Sequence, residues 1–264
     1  MTNKLLMISF RGTAYHGFVR QKNAITVQEV LEKTISRIVN HNVTVYGCSR
    51  TDSGVHAHNY FLNFFTESTI PNHKLHLALN AYLPPDIDVK EVSDVPLDFQ
   101  AQFSAKAKQY VYQILLTKDA FMQDLALYYR RDIDIDLVNS AVKYFIGEHD
   151  FTSFSSVDKC KPPDRSKVRT IEHLEISKDQ DLVTVIIKGN GFLYNMVRII
   201  VGTLLFVNEK KILADDIPEI FEKRERKYAG KTVPPHGLYL NYVWYGGSER
   251  YSVDQLAIHN NSHA

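Results

Sequence analysis

Hydrophobic and polar positions change their rhythm several times along this chain, and each change predicts an element. Leu5, Leu6, Met7, Ile8 and Phe10 make a short apolar run, a predicted strand over 4–10 that stops at the turn Arg11-Gly12-Thr13. Val27, Val30, Leu31, Ile35 and Ile38 then recur at helical spacing behind Thr26 and Glu29, which form a capping-box signature. A strand is predicted over 43–46, followed by a polar loop broken by Gly47 and Gly54 and an aromatic strand over 60–65. Leu75, Ala78, Leu79 and Tyr82 predict a second helix closed by Pro84-Pro85, and 87–92 reads as a fourth strand. The order β-α-β-β-α-β is that of the split βαβ unit of ferredoxin-like folds.

The rest of the chain repeats that order without repeating the sequence. An alternating strand is predicted over 110–116, and Asp136 is expected to cap a helix carrying Val138, Ala141, Val142, Phe145 and Ile146, with Gly147 as its stop. Strands follow over 170–176 and 183–187. An apolar helix spans 192–207, a polar one 215–223, and a last strand 238–245. The expected fold class is therefore α+β: two ferredoxin-like halves, 1–105 and 106–264, whose antiparallel sheets meet edge to edge around a central cleft.

Composition narrows the setting. The chain has 264 residues, 44% hydrophobic and 23% charged, an ordinary globular balance with length to bury a proper core. A net charge of +1 argues weakly against a wholesale polyanion binder, yet basic residues can still be segregated onto one face. Two stretches are locally basic. Lys159, Lys161, Arg165, Lys167 and Arg169 stand against the single acid Asp164, and Lys223, Arg224, Arg226, Lys227 and Lys231 against Glu225. Each reads equally as a solvated loop or helix end and as a phosphate-contacting rim. Two isolated cysteines, Cys48 and Cys160, fit a reducing cytoplasm. The apolar run 199–207 is far short of the ~20 residues that span a bilayer, and 5–8 is too short for a signal-peptide core. Cytoplasmic localisation, with no membrane, is the expectation. Eleven histidines show no metal-ligand spacing, so no metal is expected.

Chemistry concentrates between Gly47 and Ala57. The loop places Arg50 two residues before Asp52, between glycines and between two strands. An adjacent cation keeps a carboxylate ionised, which is what covalent nucleophilic catalysis requires. Taken by itself, the pair reads more readily as an Asx-turn beside a surface arginine.

The loop resembles the signature G-R-T-D-(A or S)-G-V-H-A of the tRNA pseudouridine synthase A family. The likeness extends through Gly12-Thr13-Ala14-Tyr15-His16-Gly17-Phe18 with Gln21, and through Thr26-Val27-Gln28-Glu29-Val30-Leu31. Further matches are Leu79-Asn80-Ala81-Tyr82-Leu83-Pro84, Phe103-Ser104-Ala105, Gly147-Glu148-His149-Asp150-Phe151 and Arg169-Thr170-Ile171. It continues through 191–198, from Gly191-Phe192 to Val197-Arg198, and through Pro234-Pro235-His236-Gly237-Leu238. Eight or more such matches in order are specific where each alone is weak. The resemblance implies the pseudouridine synthase fold and a cofactor-free isomerisation of uridine to pseudouridine in the tRNA anticodon stem-loop, at family positions 38–40. Asp52 falls on the nucleophile, with Arg50 and Arg198 as its basic partners. Tyr110 falls on the residue that stacks on the uracil, with Phe192 and Leu238 as cleft walls. Without the resemblance, Tyr110, Phe192 and Leu238 read as core residues and Arg198 as a snorkelling surface arginine. The resemblance also implies tRNA as partner and a homodimer.

Departures from the family pattern stand at Arg11, Ser49, Tyr60, Asn63, Gln100 and Gln102. They are expected to surround the RNA path more than the chemistry, and so bear on which tRNAs and uridines are chosen. The rival reading is a catalytically idle or narrowed tRNA-binding paralogue or RNA chaperone on the same fold. Retention of Asp52, Arg50, Tyr110 and Arg198 together argues for the enzyme.

Overall fold

The first half takes the expected element order in a computed structural model that describes residues 1–157 and 166–246. Its elements are β1 (Thr2–Phe10), α1 (Val27–Val39), β2 (Tyr46–Gly47), β3 (His56–Thr66), α2 (Asn72–Tyr82) and β4 (Ile87–Val95). Thr26 caps α1: its side-chain oxygen accepts from the Glu29 amide at 3.3 Å, satisfying a donor the helix leaves orphaned. Asn40 ends the helix in the left-handed region. The second half holds β5 (Ala105–Leu115), β6 (Leu127–Tyr128), α3 (Ile135–Val142), β7 (Gly147–Asp150), β8 (Val168–Asp179), β9 (Leu182–Gly189), α4 (Met196–Asn208), α5 (Ile217–Lys223) and β10 (Leu238–Tyr245).

All described strands join one sheet in the order β4-β1-β3-β10-β5-β9-β8-β7, with β2 on β3 and β6 on β5. In the second half, β10-β5-β9-β8 stand as fourth, first, third and second of a ferredoxin-like unit, and β4-β1-β3-β2 repeat that order in the first. The edge-to-edge meeting is narrow. β10 runs parallel to β3 and pairs through Tyr239 with His56 and Leu240 with Ala57. β2 takes the same edge of β3 further along, at Asn63 and Leu62. The sheet is thus mixed and continuous, with parallel pairs at β3–β10 and β5–β6 and antiparallel pairs elsewhere.

Helix α2 packs on β4 and on α1, and α3 packs on β8 and α4. In the first half the loop over 96–104 is tied down by a satisfied polar network. Asn63 Oδ1 accepts from the Ala101 amide at 2.9 Å, and Asn63 Nδ2 donates to Asn3 Oδ1 at 2.9 Å. Asn3 Nδ2 in turn donates to the carbonyls of Pro96 and Phe99. No described helix is long and apolar enough to cross a membrane.

Four local expectations change. The strand expected over 43–46 shrinks to Tyr46–Gly47, because α1 side chains take its backbone bonds: Ser36 Oγ accepts from Val43 N, Glu32 Oε1 accepts from Val45 N, and Gln28 Nε2 donates to Val45 O. Asp134, not Asp136, caps α3, accepting from the Leu137 amide at 3.0 Å. That helix ends at Val142, and Gly147 opens β7 instead of stopping the helix. The apolar helix begins at Met196 and not at Phe192, because Asn195 lies in the left-handed region at φ 60 and breaks the run.

Candidate active site

The loop that carries Asp52 is clamped by the turn over 12–18. Phe18 N donates to Thr51 O, Gly54 N to Tyr15 O, and Ser53 Oγ to Tyr15 O. Gly17 makes this approach possible: it sits at φ +83, and a Cβ there would lie 2.3 Å from the Thr51 carbonyl oxygen. From beneath, Tyr60 donates its hydroxyl to the Ser49 carbonyl and stacks on Phe18 with ring centroids 4.2 Å apart. His56 fastens the loop's far end. Its Nδ1 accepts from Gly12 N at 2.9 Å, so Nε2 carries the hydrogen and faces the carbonyls of Asp124 and His236. Burial holds this imidazole below its ordinary range. Asp52 is left partly open on a fixed loop.

Residues from the second half face it. Arg198 Nη1 donates to Asp52 Oδ2 at 3.0 Å, with the two side chains 15% and 25% exposed. The same Nη1 donates to Asn195 Oδ1 at 2.8 Å, and Nε donates to Val233 O at 2.8 Å. Nη2 makes no bond with a described residue and is not sealed from solvent. Helix α4 can bring Arg198 this close because Gly202 lets the 230–233 segment pass against it: a Cβ at Gly202 would lie 1.8 Å from Lys231 O. Arg50 is exposed on the same loop as Asp52.

Tyr110, on β5, is buried, and its hydroxyl bonds Ser49 Oγ at 3.0 Å. Burial, with the Asp52 charge adding to it, keeps this phenol protonated well above its usual range. Phe192 meets the Tyr110 ring edge to face at 5.2 Å. Leu238 is buried opposite Tyr112 at the start of β10. Asp52, Arg198, Tyr110 and Phe192 thus share one region, whereas Leu238 lies next to it in the sheet. Two positions along β5 from Tyr110, Lys108 Nζ donates to the Cys48 carbonyl at 2.7 Å. Burial lowers that ammonium and pushes the Cys48 thiol up to about 11.

Several candidates land elsewhere. Tyr60 and Asn63 are wholly buried under the Asp52 loop and the 96–104 loop, so these two departures do not face an RNA path. Lys159, Lys161 and Arg165, with Cys160, lie outside the described residues. Lys167 and Arg169 are half-buried next to Phe151 and Gly191, and Arg169 Nη1 donates to Ser166 O. In the second basic stretch Lys223 pairs with Glu219, Arg224 with Asp150 and Lys227 with Glu225, and Arg226 donates to Ala229 O and Thr232 Oγ1. It reads as a charged helix end. Among the described residues, no three His, Cys, Asp or Glu side chains group as a metal site would need. Asn195, Ser49, His56 and Lys108 were not singled out as site residues by the sequence. Asn195 lies within the matched stretch 191–198, which was the available signal.

A family model described as tRNA pseudouridine synthase matches residues 6–104 and 141–246. The tRNA pseudouridine synthase A of Clostridium acetobutylicum is 45% identical over 248 residues, covering 93% of this chain and 100% of that protein. That of Acetivibrio thermocellus is 43% identical over 247 residues, again 93% and 100%. Among solved structures, a chain from a Cbf5-Nop10-Gar1 complex overlays with a TM-score of 0.35 at 14% identity, over 76% of this chain and 44% of that one.

Proposed function

The chain belongs to the tRNA pseudouridine synthase family, and from that premise we propose that Asp52 is the nucleophile of a uridine-to-pseudouridine isomerase acting on the tRNA anticodon stem-loop. The ion pair between Asp52 and Arg198, formed across the two halves, is the observation that carries this reading. A guanidinium at 3.0 Å favours the ionised carboxylate, the form that can attack. The Nη2 donors of Arg198 remain for the substrate.

The target uridine leaves its stack and enters the cleft, where Tyr110 holds the uracil and Phe192 and Leu238 close the wall. Asp52 attacks the nucleoside, the bond from N1 to the ribose breaks, the base turns and rejoins the ribose through C5, and the bond to Asp52 breaks to return the free carboxylate. The C5 proton is lost and N1 regains one, so atoms balance and nothing is oxidised. No metal or nucleotide enters this scheme. Arg50, exposed beside Asp52, meets the substrate from the loop side. Lys167 and Arg169 continue a basic rim toward the tRNA backbone. We assign the division near residue 105, a homodimer and a cytoplasmic setting to the same reading. The family positions 38–40 are the target sites it implies.

Pseudouridine mapping across all tRNAs from cells with the protein, without it, and with Asp52→Asn tests this. Loss of anticodon-arm pseudouridine in the last two is expected. Unchanged maps would overturn the enzyme in favour of an idle tRNA binder.

A further inference from the structure

We infer that Asn195 is a positioning residue that aims Arg198 at the nucleophile. The inference rests on the function proposed above and goes beyond it, since Asn195 touches neither Asp52 nor the uridine in that scheme. Asparagine is favoured at helix N-caps because its side chain can take up a free amide of the first turn. Asn195 is the N-cap of α4, yet its side chain makes no such bond. It is used elsewhere. Oδ1 accepts from Arg198 Nη1 at 2.8 Å, and Nδ2 donates to Ser156 Oγ at 3.0 Å.

The planar guanidinium turns this contact into an aiming device. Nη1 has two hydrogens, fixed in the plane and about 120° apart. Asn195 Oδ1 takes one, and Asp52 Oδ2 takes the other at 3.0 Å. With Nε held by Val233 O, two bonds fix the plane and leave the second Nη1 hydrogen pointing at the carboxylate. Asn195 is itself held still. Its Nδ2 is anchored on Ser156, and Ser156 N donates to the Tyr194 carbonyl at 3.0 Å, so the 151–156 segment braces the turn from outside.

The left-handed backbone at φ 60 offers a clean separation of side chain from conformation. Glycine accepts that conformation at least as readily as asparagine, so Asn195→Gly removes the amide without adding strain. Single-turnover pseudouridine formation and tRNA binding are measured for wild type, Asn195→Gly, Arg198→Lys and the double variant. We expect Asn195→Gly to slow the chemical step ten- to hundredfold while tRNA affinity stays within threefold. On the Arg198→Lys background, which lacks the planar fork, the same change is expected to cost less than twofold. Equal losses on both backgrounds, or none on wild type, overturn the inference. Should the glycine variant not fold, Ser156→Ala repeats the cycle on a partly exposed loop: a two- to fivefold loss that vanishes with Arg198→Lys supports it, and equal or absent losses overturn it. A wild type that forms no pseudouridine removes the proposed function and this inference with it. An active wild type whose glycine variant keeps its rate removes this inference alone.

Discussion

Before residue 105 the chain delivers its reactive group on a loop; after it, the facing groups stand on regular elements. Asp52 sits on a turn held by Tyr15, Phe18, Tyr60 and His56, with its position fixed by buried bonds from several directions. Arg198 and Tyr110 stand on α4 and β5, whose own hydrogen bonds fix the backbone, so that side-chain contacts have to supply the aim. A loop nucleophile must be immobilised by its surroundings, whereas a residue on a helix needs a neighbour such as Asn195 to choose among its rotamers.

The sharpest break in this comparison is Asp52→Asn, which keeps the clamped loop and removes the nucleophile. Pseudouridine formation is expected to fall by at least about 10³-fold, with tRNA affinity within a few-fold. Single-turnover rates and binding isotherms measure both, and substantial turnover by the variant would refute the assignment. Arg198→Lys acts on the other side of the pair. It keeps the charge and loses the fork, so we expect a loss of about 10²-fold in the same rate, with little change in affinity.

Tyr110 sharpens the contrast, because stacking and hydroxyl can be removed separately. Tyr110→Ala is expected to lose about 1–3 kcal/mol of base stacking, visible in kcat/KM. Tyr110→Phe keeps the ring, gives up the bond to Ser49, and should cost less than about 1.5 kcal/mol. Equal losses in the two variants would make the hydroxyl, not the ring, the functional part.

The smallest effect concerns the clamp and pH. His56 is neutral in the fold, held below its ordinary range by burial first of all. Above the unfolded value of about 6.5 it is neutral in both states and contributes nothing to pH dependence. As pH falls through that value the unfolded state takes up the proton first, so stability is lost on acidification, by at most about 1.4 kcal/mol per pH unit for this one group. His58 and His236 are depressed in the same direction by burial and add to the slope. Urea unfolding between pH 7 and 5 should show the slope, and His56→Gln should remove one proton's share of it.

Much of this arrangement was legible in the residues. Helical spacing located α1 and α2, apolar and aromatic runs located β3 and β10, and Thr26 caps α1 as its spacing implied. The signature loop pointed to Asp52, and only the family resemblance pointed to Arg198, whose apolar setting alone reads as that of a snorkelling surface arginine. What escaped depends on contacts between elements and on the backbone conformation of single residues. Val43 and Val45 have strand composition, yet α1 side chains take their backbone bonds. Asn63 looked like an altered RNA-facing position, and it is the buried pin of the 96–104 loop. Asn195 looked like an ordinary helix residue, and its left-handed φ moves the helix start by four positions.

One departure of sheet order from chain order, the place of β10, sets when the site is completed. β10, the last described strand to be synthesised, lies between β3 and β5 at the centre of the sheet. As the chain emerges, β4-β1-β3 and β5-β9-β8-β7 have no strand between them to pair across. The joint closes when Tyr239 reaches His56, a late contact whose loop-closure cost falls near the end of assembly. The Val233 carbonyl that steadies Arg198 arrives just ahead of that strand. A nascent chain therefore carries Asp52, the proposed nucleophile, long before the residues that face it are in place, and the site closes only with β10.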